Sequence, residues 1–513
     1  MNMQTTTSPL PAETVGIVGA GAMGRGIAQI AALAGLTVKL FDTNPQALDA
    51  ARSYLAKTFA QLADKGKLSA GDGSAALARV LPCSALEVLA DCDLVIEAIV
   101  ERLDVKRQLI GELEAVLHHQ AIIASNTSSL SITAIAAGAQ HPGRIAGYHF
   151  FNPVPLMKVV EVVDGLSGDP AVGDALMALA RRMGHTPVRC KDMPGFIVNH
   201  AGRGMNIEGL KVAQEGVASF ADIDDIMREQ AGFRMGPFEL MDLTGLDVSH
   251  PVMESIYHQY YQEPRYRPSP ITAIRAVAGL VGRKAGAGFY RYENGRKVVP
   301  PAAAVPSVRP ASVWVSRENR RGHDRVMQLL ATLDVKPETG ESPSADALIV
   351  VTPLGHDATT CAVAERLDAA RVIAIDTLLP FDAARRRTLM TTPVTTAAVR
   401  DMAYGLFASD GVPVTVIRDS AGFVAQRIVC SIVNIASDIA QQRIASPADI
   451  DRAVHLGLGY PQGPLALGDA IGPRLVLEIL RNLTDLTGDM RYRPSPWLWR
   501  RAELGLSLLT EDA

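Results

Sequence analysis

The chain has 513 residues, of which 48% are hydrophobic, and its formal net charge is -4. This length is too great for one hydrophobic core and predicts several domains. The small net charge gives no reason to expect nucleic acid or an anionic membrane as a partner, and no apolar run is long enough to span a bilayer. Its five scattered cysteines form no metal-binding pattern, so we expect no metal site and a reducing, cytoplasmic location. Residues 1–12 lack the basic start and apolar run of a signal peptide, and we interpret them as a disordered tail.

A glycine fingerprint follows the first predicted strand, Val15–Val18. It reads G-x-G-x-x-G, with Gly19, Gly21 and Gly24 at the fixed positions, and a helical pattern follows it. In such a unit the first glycine allows a tight turn, the second lets the backbone approach a pyrophosphate, and the third lets the helix pack closely on the sheet. A glycine-rich turn without a ligand is the alternative for the motif alone. The strand, the helix and the spacing together predict a dinucleotide site.

The residues around this fingerprint extend the predicted site. Ala22 and Met23 fall in the first helical turn, where the helix N-terminus would face the phosphates. The second predicted strand, Thr37–Phe41, is followed by Asp42. A carboxylate at this point accepts hydrogen bonds from a ribose 2′-hydroxyl and repels a 2′-phosphate, so the pattern favours NAD over NADP.

Further short apolar strands, at 93–98, 121–124 and 144–150, alternate with helical patterns. We therefore predict an open, doubly wound parallel α/β sheet, which binds ligands at the carboxyl ends of its strands. Polar side chains cluster at those ends, namely His149, Glu97, Glu101 and residues 126–129.

His149 stands in GYHFFNPVP, directly before two phenylalanines. It is either a hydrogen-bonded core residue or a general base in a dry cleft, because histidine titrates near neutral pH. Twelve residues later Glu161 is a lone acid in an apolar strand pattern, either an edge charge facing water or the partner that orients the imidazole. Asn199, in PGFIVN, is either a helix-surface residue or an amide aimed at the reacting oxygen. A nicotinamide beside a histidine–carboxylate pair predicts hydride transfer that oxidises a secondary alcohol to a ketone.

Six motifs in order between residues 13 and 292 resemble those of the 3-hydroxyacyl-CoA dehydrogenases: GAGAMG, EAIVE, SNTSSL, HFFNPVP with MKVVEVV, CKDMPGFIVN and GPFELMDLTGLD. The resemblance implies that His149 is the general base and Glu161 its partner. It also implies that Ser128 and Asn199 bind the 3-oxygen of the substrate and help to polarise it.

The same resemblance implies the ligand contacts. Those to NAD would come from Asp42, Glu101, Lys106, Ser128 and Lys284, in addition to the glycine loop. A helix after the second strand contacts coenzyme A in this family, so Thr58 and Lys65 would bind the CoA of an acyl-CoA substrate. A solvated helix face is the alternative for these two residues, and a loop lysine is the alternative for Lys284.

Changes of pattern set the predicted domain boundaries. Residues 13–191 form the Rossmann-type NAD-binding domain, and residues 192–292, where the α/β alternation stops, form an all-helical domain. The resemblance makes this helical domain the one that closes the substrate cleft and forms the dimer interface. A Pro/Ala-rich linker at 293–312 follows. The chain then continues with a shortened, degenerate Rossmann-like domain at 313–418 and a second helical domain at 419–513.

An internal repeat with an offset of about 227 residues supports this division. PGFIVN aligns with AGFVAQ, FADIDDIM with PADIDRAV, and MGPFELMDLTG with QGPLALGDAIG. The second copy carries Asp376, Thr388 and Gln426 in place of the base, the acid and the amide of the first, and its VWVSRENRRG segment has no glycine fingerprint. We therefore predict a non-catalytic second half and an internal pseudo-dimer with one active site. A homodimer of whole chains is the alternative.

The predicted reaction is the NAD-dependent oxidation of (S)-3-hydroxyacyl-CoA to 3-oxoacyl-CoA. Long family members with a degenerate second copy resemble enzymes that act on 3-hydroxyadipyl-CoA in phenylacetate breakdown, which makes this ester the expected substrate. The alternative is 3-hydroxybutyryl-CoA or an intermediate of fatty-acid β-oxidation. Two other classes stay open, a non-catalytic NAD-binding sensor or scaffold and a dehydrogenase of a free hydroxy acid or sugar acid. The sequence spacing does not reveal the acyl chain length.

Overall fold

The computed structural model describes residues 13–299 and 304–512. The chain divides into two units, and the division does not follow chain order. Of the described residues, the first unit contains 13–200 together with 442–458, and the second contains 201–299, 304–441 and 459–512.

Three predicted segments fall wholly or partly outside the described residues. These are the tail, 1–12, positions 300–303 of the linker, and residue 513 of the second helical domain. At the start of the predicted linker, the strands Tyr292–Glu293 and Arg296–Lys297 form an antiparallel hairpin across the boundary at 292. None of the helices in the described part of the chain combines the length and the apolarity needed to cross a membrane.

Eight strands form one sheet in the first unit: β1 (Thr14–Val18), β2 (Thr37–Phe41), β3 (Val80–Cys83), β4 (Leu94–Glu97), β5 (Ile122–Ser125), β6 (Ile145–Phe150), β7 (Val159–Asp164) and β8 (Thr186–Lys191). Their order across the sheet is β3-β2-β1-β4-β5-β6-β7-β8. Neighbours run parallel except for β6 and β7, which are antiparallel. The predicted Rossmann-type parallel sheet is confirmed, since its first six strands have the order of dinucleotide-binding folds. The antiparallel step was not predicted.

Helices cover this sheet: α1 (Ala22–Leu33), α2 (Pro45–Asp64), α3 (Ala70–Ala78), α4 (Leu103–Val116), α5 (Ile132–Ala136), α6 (Pro170–Arg182) and α7 (Val198–Ala201). The central strands are mostly apolar because side chains on both faces of the sheet are buried. Ile17 of β1, Ile27 of α1 and Leu55 of α2 are fully buried in the core. A further helix of this unit, Pro447–Leu458, comes from the second half of the chain.

The second unit begins with helices and a hairpin: α8 (Arg203–Gln214), α9 (Phe220–Asp225), α10 (Pro237–Thr244), α11 (Leu246–Gln259), α12 (Pro270–Val277), β9 (Tyr292–Glu293) and β10 (Arg296–Lys297). A π-helical turn, Ile226–Gln230, extends α9. The prediction of a helical domain after the Rossmann-type domain is confirmed by these helices.

A second sheet and more helices complete this unit: β11 (Val313–Val315), α13 (Arg320–Thr332), β12 (Leu348–Val351), α14 (Ala358–Ala364), β13 (Val372–Ile375), β14 (Arg387–Thr391), α15 (Ala397–Phe407), β15 (Val414–Ile417), α16 (Val424–Gln441), α18 (Pro464–Ile471), α19 (Pro473–Thr487) and α20 (Pro496–Leu504). The helix Pro447–Leu458 of the first unit is α17. The sheet order is β11-β12-β13-β14-β15, and only β13 and β14 are antiparallel. The succession of parallel and antiparallel neighbours across this sheet is therefore the same as across β4 to β8.

Candidate active site

The glycine loop joins β1 to α1. Gly19 has a φ of 106°, and a Cβ there would lie 2.6 Å from the carbonyl oxygen of Ala98. A Cβ at Gly24 would lie 1.7 Å from the carbonyl oxygen of Gly19, so the packing of the chain itself requires both glycines. Gly21 differs, because its φ is -66° and a Cβ there would meet no atom within 4 Å. The open space beside Gly21 fits a ligand that approaches the backbone.

Replacing Gly21 with valine is expected to raise the Kd for NAD by about tenfold or more while stability changes little. The new side chain would occupy the space where a pyrophosphate approaches, and its Cβ would meet no protein atom within 4 Å. NAD titration by calorimetry, together with urea unfolding, checks both parts. Gly24→Val is the matched control, because its Cβ would collide with the backbone of Gly19 and should prevent folding. Unchanged NAD affinity in Gly21→Val would contradict the assignment of this loop.

Asp42 lies at the carboxyl end of β2 and is tied to the same loop. Its Oδ2 accepts the N–H of Ala20 at 2.8 Å, and its Oδ1 accepts the N–H of Asn44 at 2.9 Å. Helix α1 begins at Ala22, has no capping side chain and carries no acid in its first turn, which includes Met23. The partial positive charge of this helix N-terminus is thus available to a phosphate. Together these features fit a bound NAD.

His149 and Glu161 form a buried pair on adjacent strands. Because β6 and β7 are antiparallel, the two residues lie directly opposite each other in the strand register. The His149 Nδ1 lies 2.6 Å from Glu161 Oε2, and the residues are 5% and 0% exposed. The rings of Phe151 and Phe196 lie with their centroids 4.4 Å and 5.9 Å from that of the imidazole. The predicted contact between His149 and Glu161 is present, and the neighbouring aromatic rings help to bury it.

The second carboxylate oxygen of Glu161 is held by backbone amides. Its Oε1 accepts the N–H of Ile197 at 2.9 Å and that of Val198 at 2.8 Å. The preceding residues, Gly195 and Phe196, have φ values of 77° and 49°, so the turn before α7 is left-handed. This turn directs both amides at one oxygen. Each oxygen of the buried carboxylate thus has a hydrogen-bond partner, as burial of a charge requires.

Ser128 and Asn199 also meet. The side-chain amide of Asn199 donates to the carbonyl oxygen of Ser128 at 3.3 Å. Glu101 Oε1 accepts the N–H of Ser128 at 2.9 Å and the hydroxyl of Thr127 at 2.7 Å. Burial pushes the pKa of Glu101 upward, but the Thr127 hydroxyl, the charge of Lys106 and the Ser128 amide together hold it below its ordinary value. An ionised Glu101 therefore shapes the loop that carries Ser128.

Lys106 and Glu97 belong to the interior of the first unit. The Lys106 Nζ lies 2.8 Å from both carboxylate oxygens of Glu97 and 3.4 Å from Glu101 Oε2, and its side chain is 1% exposed. Ser125 donates a hydrogen bond to Glu97 as well. Glu97 is fully buried, so this strand-end acid supports the fold instead of facing a ligand. The contact of Lys106 with NAD stays a prediction.

Three predicted ligand contacts lie at the surface. Thr58 is on α2, where its hydroxyl donates to the carbonyl oxygen of Tyr54 at 2.8 Å, and Lys65 is exposed just after that helix. Lys284 belongs to the second unit, where its ammonium lies 2.5 Å from Asp247 Oδ2. The roles of all three toward CoA and NAD stay predictions.

The second unit contains a different buried network at Asp376. Its Oδ1 accepts the Gln426 amide at 2.9 Å and the Leu378 N–H at 3.0 Å, and its Oδ2 accepts the Gln230 amide at 2.8 Å. Thr388 donates to the side-chain oxygen of Gln230. Burial raises the pKa of the Asp376 carboxyl. Asp376, Thr388 and Gln426, which align with His149, Glu161 and Asn199 in the sequence repeat, thus belong to one hydrogen-bonded network that includes Gln230.

Oxidation of an alcohol with a nicotinamide cofactor needs a dinucleotide cradle and a group that takes the hydroxyl proton. The first unit contains a glycine loop that fits a dinucleotide and a buried histidine–glutamate pair, the features of an NAD-dependent dehydrogenase. Residues 14–193 match the NAD-binding domain model of the 3-hydroxyacyl-CoA dehydrogenases, and residues 195–292 and 422–509 both match their C-terminal domain model. The chain belongs to the 3-hydroxyacyl-CoA dehydrogenase family, and the resemblance predicted from its motifs is confirmed. It is an oxidoreductase that acts on CH–OH groups with NAD as its cofactor.

Two relatives match this chain over almost its whole length, and a third matches just over half of it. The chain is 38% identical over 493 residues to the 3-hydroxyadipyl-CoA dehydrogenase of Escherichia coli, covering 96% of this chain and 98% of the relative. A crystal structure of 3-hydroxybutyryl-CoA dehydrogenase from Escherichia coli K12 superposes with a TM-score of 0.84 at 36% identity, covering 96% and 99% of the two chains. The 3-hydroxybutyryl-CoA dehydrogenase of Bradyrhizobium diazoefficiens is 41% identical over 286 residues, covering 56% of this chain and 97% of the relative.

Proposed function

We propose that His149 is the general base that removes the hydroxyl proton of an (S)-3-hydroxyacyl-CoA. The observation that carries this proposal is the 2.6 Å contact between His149 Nδ1 and Glu161 Oε2 in a buried site. With Nδ1 on the carboxylate, Nε2 is the nitrogen that takes the proton. The negative charge of Glu161 stabilises the resulting imidazolium, and this effect is strong where water is excluded.

The proton and the electrons go to different partners. NAD, when bound, accepts the hydrogen at C3 together with its bonding electron pair, which leaves a 3-oxoacyl-CoA. The hydroxyl proton goes to His149 Nε2. The Asn199 amide and the Ser128 hydroxyl bind the 3-oxygen, and the contact between these two residues supports this shared role.

We also propose the contacts that hold the two ligands. Asp42 binds the ribose of NAD. The pyrophosphate is bound by the glycine loop, at Gly19, Gly21, Ala22, Met23 and Gly24. The remaining NAD contacts come from Glu101, Lys106, Ser128 and Lys284. Thr58 and Lys65 bind the CoA. The open space at Gly21 and the uncapped start of α1 support the pyrophosphate contact.

The proposed substrate is 3-hydroxyadipyl-CoA, as an intermediate of phenylacetate breakdown. Its support is the full-length relative named for that substrate, which matches 96% of this chain. The second candidate is 3-hydroxybutyryl-CoA, supported by the name of the full-length structural relative. The five cysteines are all free, which supports a reducing cytoplasm as the place of action.

The test is a comparison of kcat/KM by NADH absorbance for 3-hydroxyadipyl-CoA, 3-hydroxybutyryl-CoA and a long-chain 3-hydroxyacyl-CoA. We expect turnover of these thioesters with a clear preference for the adipyl ester. A preference for the butyryl ester would reject the proposed substrate and keep the reaction. Binding of NAD without turnover of any thioester would reject the catalytic role and favour an NAD sensor.

We further propose that the second half is a degenerate, non-catalytic duplicate of the first. It would consist of a shortened Rossmann-like domain at 313–418 and a helical domain at 419–513, joined by the 293–312 linker to the domains at 13–191 and 192–292. The equal direction patterns of β4–β8 and β11–β15 support this duplication, as does the twofold match of the C-terminal domain model.

In this arrangement one chain is a pseudo-dimer with a single active site. The packing of α8 on α16 supports it, because these helices come from equivalent parts of the two copies. A Cβ at Gly204 of α8 would lie 2.7 Å from the Cα of Ile432 on α16, so the glycine permits a close helix crossing. The hydrogen bonds among Asp376, Gln426 and Gln230 support the loss of chemistry in the second half, since they use both carboxylate oxygens.

A further inference from the structure

Helix α17 comes from the second half of the chain but belongs to the unit that carries His149 and Glu161. It packs against β7 and β8. The side chains of Ile450, Ala453 and Val454 are fully buried, and their spacing defines one apolar helix face. The segment before the helix is fixed as well, because the N–H of Lys191 at the end of β8 donates to the carbonyl oxygen of Ile444 at 2.8 Å.

Gly457 continues this face near the end of α17. A Cβ there would lie 3.0 Å from both γ-carbons of Val198 and 3.5 Å from a γ-carbon of Val159. The N–H of Val198 is one of the two donors to Glu161 Oε1. Val159 is at the start of β7, the strand that carries Glu161. A side chain at 457 would therefore press on the residue whose amide holds the carboxylate.

The internal repeat gives this position a counterpart. With the offset of about 227 residues, Gly457 aligns with Gln230 of the first half. Within the second unit, Gln230 donates to Asp376 at 2.8 Å and accepts from Thr388, the residues that align with the base and the acid. Gln230 thus lies beside Asp376 and Thr388 in the second unit, and Gly457 lies beside Val198, which donates to Glu161, in the first. Glutamine bonds to its neighbours directly, whereas glycine at 457 leaves room for Val198 beside Glu161.

We infer that Gly457 is a positioning residue for the reaction, through which the non-catalytic half sets Val198 and hence the orientation of Glu161 toward His149. This inference rests on the proposed role of the His149–Glu161 pair. It gives the second half an indirect part in the reaction, because α17 packs against β7, the strand that carries Glu161.

The test is Gly457→Leu, for which we expect kcat to fall roughly tenfold to a hundredfold, because small displacements of a catalytic group have effects of this size. The Kd for NAD should be unchanged, since the glycine loop follows β1 and Gly457 packs near β7. In a Glu161→Gln background the same substitution should have little further effect on kcat, because the carboxylate through which it acts is gone. Val198→Ala should restore activity to Gly457→Leu by providing space.

Arg452→Leu is the control on the same helix, since the Arg452 side chain is 48% exposed, and it should keep wild-type kcat. If Gly457→Leu does not fold, Gly457→Ala serves instead, with a smaller loss that Val198→Ala again restores. Wild-type kcat in the folded Gly457 variant would overturn the inference. It would also be overturned if the Gly457 substitution lowered kcat by the same factor in the Glu161→Gln background as in the wild type. Wild-type kcat in Glu161→Gln alone is a separate result, because it would reject the proposed role of the pair itself.

Discussion

Replacing His149 with glutamine is expected to lower kcat by about 10²–10⁴-fold while NAD still binds. Glutamine has a similar size and can still donate to Glu161 Oε2, which the imidazole contacts at 2.6 Å. The buried carboxylate therefore keeps a partner, and the fold should survive. Glutamine cannot accept the hydroxyl proton, so the chemical step should fail. NADH formation from a 3-hydroxyacyl-CoA and NAD titration by calorimetry measure the two quantities separately.

A second buried histidine of the same unit provides the matched control. The ring nitrogens of His185 contact the carbonyl oxygens of Val154 at 3.0 Å and Met183 at 3.3 Å, and burial lowers its pKa. This is the environment of a structural core histidine, the alternative considered for His149. His185→Gln should cost stability, by about 1–3 kcal/mol, and should leave kcat near the wild-type value. Equal kcat losses in the two variants would mean that His149 acts through the fold and is not the base.

The parts of the site that the sequence could predict are those fixed by strand and helix periodicity. Strand Thr37–Phe41 was predicted with its observed bounds, and Asp42 lies at its end as expected. The strand pattern left Glu161 as either an edge charge or the partner of His149, and the family resemblance implied the partner; the two residues are in contact. The antiparallel register that makes the two residues direct neighbours needed the structure, because alternation along a strand says nothing about the direction of the next one.

Backbone donors and tertiary pairs could not be predicted. The amides of Ile197 and Val198 reach Glu161 because Phe196 has a left-handed φ, which no residue type at that position announces. Lys106 and Glu97 form a buried ion pair, although they are nine residues apart in the sequence and lie on a helix and a strand. No periodic pattern in the sequence relates the two positions. The membership of α17 in the first unit depends on contacts between distant chain segments, which local patterns do not encode.

Comparison of the two halves of the internal repeat helps to distinguish residues that support the fold from residues that serve the reaction. Asp192, in KDMPGF, accepts the N–H of Ile132 at 3.0 Å, and the aligned Asp419, in RDSAGF, accepts that of Ala358 at 2.8 Å. Both carboxylates thus bond the first turn of the helix after the corresponding strand. A residue retained in both halves with the same contact serves the fold. Under the proposed duplication, residues that differ between the halves, such as His149, mark the chemistry.

Replacing Arg427 with alanine is expected to lower the free energy of unfolding by about 3–5 kcal/mol, measured by urea unfolding with circular dichroism. The side chain is 2% exposed and joins α16 to α8 in the second unit: its Nε lies 2.7 Å from Glu208 Oε1 and its Nη1 lies 2.5 Å from Glu215 Oε2. A third nitrogen donates to the Tyr492 hydroxyl at 2.7 Å. Burial lowers the pKa of Arg427, but the carboxylate of Glu208 and the other partners more than offset this and raise it. Alanine would leave the buried Glu208 charge without its main partner.

Arg493→Ala is the control for this prediction, because it removes an arginine of the same unit that is 45% exposed and lies 3.3 Å from Glu263. An exposed pair of this kind contributes at most about 1 kcal/mol, so the two variants should differ clearly. Replacing Arg427 and Glu208 together by leucine should recover much of the stability, since no unpaired charge then remains buried. A loss in Arg427→Ala no larger than in Arg493→Ala would contradict the role of this cluster.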